Sequence, residues 1–460
     1  QEPLTLRRAI ELAQSQGNQA VAAKAARDAV FFRHRAFSAR QLPQLSFGGT
    51  LPRYNRAIIP VIQPDGSTLF RPQDQTDADL TATVSQQLPT GGDFFVSSSL
   101  ATLSVTGDES FRTWSSTPIS VGVRQDLFRP NTRGLDRREQ PYRTELAERL
   151  FREAREEIAL EVTNRFFDVH AAGVTLANAT TNVAVNDTLY RLNTGRFEVG
   201  KIGENDLLQS ELALLRARTA LDGARLELER AKSALRLALG LAPGAPVELV
   251  VPSEVPAFPV DTALAVSEAR RNRSTTTGAE LSGIQAERRV TEARLNSGFG
   301  ATVQASVGFN ATGSAFEFAY RNLLEARQVV VSVDIPLVQW GARRAGVQAA
   351  EAEREEAERN ARISVDQAAQ DAHFAALQLE QSRRALAISA KADTVAAKRF
   401  EVAYNRYVIG RIAIDNLYVA QGEKDQALMQ YGQALRAHWV AYFRLRRLTL
   451  YDFERGVPIQ

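Results

Sequence analysis

The first residues with chemical potential are Gly195-Arg196-Phe197-Glu198-Val199-Gly200-Lys201, which match the spacing G-x-x-x-x-G-K. In a phosphate-cradling loop that run follows a strand and continues into a hydroxyl residue that holds magnesium. Here the next residue is Ile202, and no strand pattern precedes the motif. The turn of a helical hairpin accounts for it better. His34, His170, His373 and His438 form no pair at three- or four-residue spacing, so they make neither a metal site nor a catalytic base pair. The run Glu351, Glu353, Arg354, Glu355, Glu356, Glu358, Arg359 offers ion pairs four residues apart and reads as a solvated helix face. Cysteine is absent, which excludes disulfides, thiolate metal sites, a cysteine nucleophile and a lipidated cysteine within the chain. Nothing pairs a nucleophile with a base. The reading is a non-enzyme without cofactor or metal.

The charges add little that is specific. Lys plus Arg number 56 and Asp plus Glu 53, for a net charge of +3. That balance supplies no basic face for a nucleic-acid partner. No run of about 18 apolar residues exists, so a membrane could be crossed only by a closed β-barrel. The opening Gln1-Glu2-Pro3-Leu4-Thr5 reads as a mature form whose leader was removed, or as a trimmed chain.

The elements that carry these residues occur twice. Arg196-Phe197-Glu198-Val199-Gly200-Lys201-Ile202 returns 210 residues later as Arg406-Tyr407-Val408-Ile409-Gly410-Arg411-Ile412. Ser120 to Val123 matches Val330 to Val333 at the same offset, and each copy continues to an arginine pair, Arg137-Arg138 or Arg343-Arg344. Leu6 to Ala13 resembles Ala263 to Arg270 at an offset of about 257, which leaves roughly 47 extra residues in the first copy. So long a period means duplication of one large unit rather than a solenoid.

The first repeat, 1–250, is expected to hold a helix over 4–40, strands with an extra hairpin over 42–130, and a helical hairpin over 132–240 with its tip near 200. The second, 251–460, is expected to hold a helix over 262–295, strands over 299–338 and a helical hairpin over 341–450 with its tip near 410. A linker over 241–260 joins them, and its Pro243, Pro246, Pro252, Pro256 and Pro259 forbid regular helix.

Leu207, Leu214, Leu221, Leu228 and Leu235 form a strict heptad row. Ser210, Ala217, Ala224, Ala231 and Ala238 form a small-residue row beside it. Together they predict a coiled-coil seam with close helix approach. The small row persists as Ala420, Ala427, Ala434 and Ala441, while the leucine row decays to Leu417, Lys424, Tyr431, His438 and Leu445.

Ala301, Val303, Ala305, Val307 and Phe309 alternate with polar or small residues, as do Val329 to Leu337 and Ile119 to Val123. Aromatics lie near the strand ends: Phe128, Phe299, Phe316, Phe318, Tyr320 and Trp340. Barrel strands and a half-exposed soluble sheet both give this pattern. Four such strands cannot close a barrel. Three chains pooling four each would give about 12 strands. A hairpin over Leu80 to Val105, turning at Leu88-Pro89-Thr90-Gly91-Gly92-Asp93, is extra and either lengthens the barrel or projects beyond it.

With the duplicated plan, the two tip motifs Arg196 to Gln209 and Arg406 to Leu417, and the opening Leu4 to Ala13, the chain resembles the TolC family of outer-membrane efflux proteins over nearly its whole length. The resemblance implies an α+β membrane protein: a homotrimer with a shared 12-stranded barrel in the Gram-negative outer membrane, an equatorial belt, and a long periplasmic α-helical coiled-coil barrel. Its function would be that of a passive exit duct in a tripartite efflux or type I secretion system, joined to a periplasmic adaptor and an inner-membrane transporter. Docking tips would be Val199, Gly200, Lys201 and Ile202 together with Ile409, Gly410, Arg411 and Ile412. A periplasmic gate would involve Asp206, Arg406, Tyr407, Asp415 and Asn416. One turn beyond Asp415, where the family carries a second acidic residue, this chain has Tyr418-Val419. The competing reading is a structural coiled-coil periplasmic protein with a soluble β-domain.

Overall fold

A computed structural model describes residues 3–62, 65–107, 110–252, 255 and 258–459. In chain order the elements are β1 (Leu4–Thr5), α1 (Leu6–Gln16), α2 (Asn18–Ala39), β2 (Gln44–Ile62), β3 (Thr68–Gln87), β4 (Asp93–Thr106), β5 (Phe111–Leu127), α3 (Thr132–Glu198) and α4 (Glu204–Leu239). There follow β6 (Leu249–Val250), α5 (Thr262–Asn272), α6 (Ser274–Asn296), β7 (Gly300–Gly313), a 3-10 turn (Phe316–Tyr320), β8 (Leu324–Asp334), α7 (Ala342–Val408), α8 (Ile414–Thr449), β9 (Tyr451–Asp452) and β10 (Val457–Pro458). The chain forms two compact units. The first comprises Gln1–Ala29, Glu145–Ala279 and Ala361–Gln460, and the second comprises Val30–Thr144 and Glu280–Asn360.

α3 and α7 each have 67 residues, and α4 and α8 each have 36, at an offset of 210. α5 follows α1 at an offset of 256 (Leu6 to Thr262). The two offsets differ by 46 residues, and the surplus lies in the sheet, which takes four strands from before α3 and two from before α7.

The first unit is helical. Thr5 caps α1 by accepting from the Arg8 amide at 3.2 Å, and Asp261 caps α5 by accepting from Ala263 at 2.8 Å. The helices expected over 4–40 and 262–295 each break after 11 residues, at Gly17 and Arg273. At Gly17 the backbone turns extended and leaves no room for a side chain: a Cβ would stand 2.5 Å from the Ala13 carbonyl and 3.0 Å from that of Ala238. At Arg273 the freed groups have partners. Arg149 donates to the carbonyls of Arg271 and Arg273, and the Ser274 amide donates to Glu153 at 2.7 Å.

The core gathers Leu6, Ile10, Phe166, Phe167, Leu235, Leu239, Trp439, Phe443 and Leu445. Full burial of such side chains stabilises by about 1.5–3 kcal/mol each. Among the described residues of 241–260 only β6 is regular, and it pairs in parallel with β1. Pro256 lies outside the described residues. Val251, Val255 and Phe258 of this linker pack on the core. Leu214, Leu235, Ser210, Ala224 and Ala231 of the heptad rows are buried on α4. On α8 the decayed leucine row still faces inward, with Leu417, His438 and Leu445 buried. The His438 Nδ1 sits 3.3 Å from the Ser382 hydroxyl. Burial, with Arg383 nearby, pushes the imidazole down to about 4.

The second unit is built on one antiparallel sheet in the order β2-β3-β4-β5-β7-β8. The chain contributes six strands, so the four per chain behind the count of 12 for a trimer are too few. The hairpin at Leu80 to Val105 is neither an appendage nor an extension. It forms most of β4 and half of β3, and both strands lie inside the sheet.

The register explains why. Ser46, Thr83, Ser97, Ser120, Gly308 and Ala326 stand side by side across all six strands. The next rung, on the opposite face, is Leu45, Val84, Val96, Val121, Val307 and Arg327. The first of these rungs is small and largely hydroxylic, while the second is apolar until the edge strand. Alternation places residues on a face but does not name the neighbouring strand. The edge strands β2 and β8 are exposed along nearly their whole length.

At the helix-bearing end of the sheet Asn131 donates to the Pro89 carbonyl at 2.8 Å, and Arg129 donates to Asp334 at 2.7 Å. Glu139 is buried below them. Burial works to raise its carboxyl, but charge-assisted bonds from Arg143 (2.5 Å) and Arg288 (3.0 Å) outweigh this and hold it below the usual range. The acidic run on α7 pairs as a solvated face does, for example Arg354 with Glu358 at 3.6 Å and Arg359 with Glu355 at 3.4 Å.

Candidate gate and docking tips

Both hairpin turns are built alike. Gly200 (φ 68°) and Gly410 (φ 74°) adopt the left-handed conformation just past α3 and α7. The Gly200 amide donates to Phe197 at 2.9 Å and that of Lys201 to Arg196 at 2.8 Å. The second turn repeats this, from Gly410 to Tyr407 and from Arg411 to Arg406, both at 2.9 Å. This pattern closes a helix while satisfying its last carbonyls, and it requires positive φ at the glycine. A Cβ on either glycine would meet nothing within 4 Å, so conformation alone selects glycine. The G-x-x-x-x-G-K run is this turn. Val199 and Ile409 stand at the apices, 66% and 65% exposed. Lys201 and Arg411 are also exposed, whereas Ile202 and Ile412 are half-buried.

α4 and α8 then begin at Gly203 and Ala413 without a side-chain cap. Asp206 and Asp415 lie in the first turns of these helices, where unpaired amides favour a carboxylate. Asp415 also accepts from Gln209 of α4 at 2.6 Å.

The two tips are tied to each other just inside the turns. Tyr407, 5% exposed, donates its hydroxyl to Asn193 of α3 at 2.7 Å, and Asn193 itself is fully buried. The Arg196 guanidinium lies 5.2 Å from the Tyr407 ring centre and donates to the carbonyls of Tyr407 (3.4 Å) and Val408 (3.1 Å). A cation there meets the negative end of α7. Around this tie Leu189, Tyr407, Ile414 and Leu417 form a small apolar cluster with Phe400, Tyr404 and Ile412 against it. The Tyr418 hydroxyl is buried beside it without a hydrogen-bond partner, and burial pushes it up to about 12.

Of the gate residues read from sequence, Tyr407 and Asp415 are thus brought into inter-hairpin ties. Arg406 and Asn416 are exposed and Asp206 is half-exposed, with no bond to the other hairpin. Asn193, Arg196 and Gln209, which complete the ties, were not assigned a role. Arg196 and Gln209 bound the first tip motif, and Asn193 lies three residues before it. No group of three or more His, Cys, Asp or Glu among the described residues could hold a metal.

Paired helical hairpins closed by matched turns, with a continuous antiparallel sheet whose two faces differ in polarity, define the class as a TolC-like outer-membrane channel fold. The chain is similar to CmeC of Campylobacter jejuni, an outer membrane channel, at 14% identity, covering 99% of this chain and 86% of that one with a TM-score of 0.70. It is similar to the outer membrane protein VceC of Vibrio cholerae at 14% identity, covering 99% and 97% with a TM-score of 0.68. The open state of the MtrE outer membrane channel of Neisseria gonorrhoeae matches at 15% identity, covering 99% and 90% with a TM-score of 0.64. A comparison with curated protein sequences finds no match. Residues 72–241 match the family described as outer membrane efflux protein. That match spans 170 of the chain's 460 residues. The likeness to these channels runs over nearly the whole chain and gives its fold. The family implies a trimer acting with other components of an efflux pump.

Proposed function

We propose that this channel is the passive outer-membrane duct of a tripartite system, closed at its periplasmic end by the ties between its two tips and opened when an adaptor engages the turns. The observation that carries this reading is the bond from the Tyr407 hydroxyl to Asn193, flanked by Arg196 on the α7 carbonyls and by Gln209 on Asp415. These ties join one hairpin to the other across more than 200 residues of sequence. They can break without disturbing either coiled coil. The exposed Val199 and Ile409 offer apolar contacts at the apices, and Lys201 and Arg411 flank them with charge. An adaptor of complementary polarity that seats on both turns would pull the tips apart and relieve the ties. An inner-membrane transporter supplies the energy.

In-cell photo-crosslinking from positions 199 and 409 tests the docking half. A periplasmic adaptor is expected in the crosslinked product, and loss of that product is expected when Gly200 and Gly410 are both replaced by Pro. Crosslinks to outer-membrane components alone would overturn it.

A further inference from the structure

We infer that the barrel of this channel closes at eighteen strands and forms a wide, hydroxyl-lined outlet for cargo of polypeptide girth. This rests on the channel reading above and deepens it by naming what the outlet admits.

Four observations carry the inference. First, β3 and β4 are paired on both sides over their common length, so the extra hairpin is part of the wall. Second, both strands obey the facial alternation of their neighbours. The small rung through Thr83 and Ser97 and the apolar rung through Val84 and Val96 are continuous with those of β5 and β7. A plug or projecting flap has no reason to keep that pattern. Third, six is an even number. With all neighbours antiparallel, β2 and β8 run in opposite directions, so β8 of one copy can pair antiparallel with β2 of the next. Head-to-tail closure of three copies then leaves no free edge.

Fourth, the stagger is that of a barrel. The small rung crosses β2 two residues above its helix-end start (Ser46 against Gln44) and β7 eight residues above (Gly308 against Gly300). Such stagger accompanies tilted barrel strands.

The bore follows from spacing and tilt. At about 4.8 Å between strands and a tilt of about 40°, twelve strands give a backbone diameter of about 24 Å and eighteen about 36 Å. Allowing about 5 Å per side for the wall and its short side chains leaves about 14 Å against about 26 Å. At the Thr83, Ser97, Ser120 and Gly308 rung the inner face is small and leaves that space open, with Phe95, Arg124 and Gln304 the larger residues on the same face nearer the helices. The longest connection at the end of the sheet away from the helices, 314–323, turns outward rather than into the bore. Its Phe316 packs edge-on against Trp114, and Ser116 donates to the Ala319 carbonyl. Trp114 and Ser116 share the apolar face with Ile119 and Val121. A polypeptide of about 40 folded residues, about 23 Å across, fits the wider bore and not the narrower.

The absence of cysteine makes the test direct. Single variants Ser97→Cys, Val96→Cys, Ser120→Cys and Val121→Cys are made in the full-length trimer, reconstituted in lipid vesicles. Treatment is with a small charged maleimide, then with a folded mini-protein of about 40 residues bearing a maleimide on a short arm and applied from the external side. The small reagent is expected to modify positions 97 and 120 and to spare 96 and 121. The mini-protein is expected to modify position 97 to within about twofold of the small reagent's extent. Alternation at 120 and 121 with none at 96 and 97 would overturn the eighteen-stranded wall and leave the channel reading standing. Alternation at all four with a loss of tenfold or more for the mini-protein would overturn the wide outlet. Lack of alternation at 120 and 121 would overturn the channel reading itself.

Discussion

Replacing Tyr407 by Phe removes one oxygen from the tie between the tips and little else. The ring keeps its place in the cluster with Leu189, Ile414 and Leu417, and Arg196 keeps its position over the ring face. Asn193, fully buried, would lose the only bond to its Oδ1 at that contact, and its Nδ2 already has no partner. A buried amide stripped of its partner costs about 1–3 kcal/mol. The cost falls on the closed arrangement alone, because parted tips let water reach Asn193. One to two kcal/mol per chain shifts the closed-to-open ratio by about 5- to 30-fold. A trimer that opens as a unit would feel it three times. Open probability of single channels in planar bilayers measures it, with Tyr404→Phe, one turn earlier on α7, as the matched control. An unchanged open probability in Tyr407→Phe, or an equal rise in the control, would refute the assignment of this bond to the gate.

Other consequences can be checked by stability. His438 is neutral when folded, with its imidazole at about 4 against about 6.5 unfolded, so the unfolded chain binds more protons between those values. Stability is full above pH 6.5 and falls by up to about 3 kcal/mol as the pH drops towards 4. Thermal melts over that range should fall more steeply for the native chain than for His438→Gln, and equal slopes would count against the burial argument. Gly200→Ala and Gly410→Ala should each cost about 1 kcal/mol through positive φ alone. Faster proteolysis at the tip would show it, and Gly203→Ala, at φ −81°, should leave cleavage unaltered. Arg446 donates to Glu156 at 3.1 Å and Asp452 at 2.8 Å, both buried carboxylates. Arg446→Met should cost about 3–5 kcal/mol by leaving them unpaired. If adding Glu156→Gln restored no melting temperature, the loss would be one of packing rather than charge.

The long helices were legible because heptad and small-residue rows report a seam turn after turn, and the tip motifs mark where each hairpin must reverse. Their offset of 210 residues is visible in the motifs themselves. The breaks at Gly17 and Arg273 were not, since the Ala238 carbonyl crowds the first and Arg149 and Glu153 partner the second. All these partners are remote in sequence. The strands were legible as strands, but alternation is silent on adjacency, so it left the hairpin at 80–105 either lengthening the barrel or projecting beyond it, whereas both its strands lie within the sheet. At the gate, Tyr407 and Asp415 stood out through their motifs. Arg196 and Gln209 lie in the first motif and Asn193 just before it, but a polar residue on a long helix carries no mark of a partner more than 200 residues away.

The matched helix lengths, 67 with 67 and 36 with 36, bear on how this gene can change. One residue inserted into α3 alone would turn everything beyond it by about 100° and advance it by about 1.5 Å. Asn193 would then miss Tyr407, and Gly200 would no longer end level with Gly410. A compensating insertion would be needed at the corresponding place in α7. The sheet has meanwhile absorbed 46 residues in one half without any counterpart in the other. Insertions and deletions among relatives should therefore fall in the strand connections singly, and in the helices only as coincident pairs.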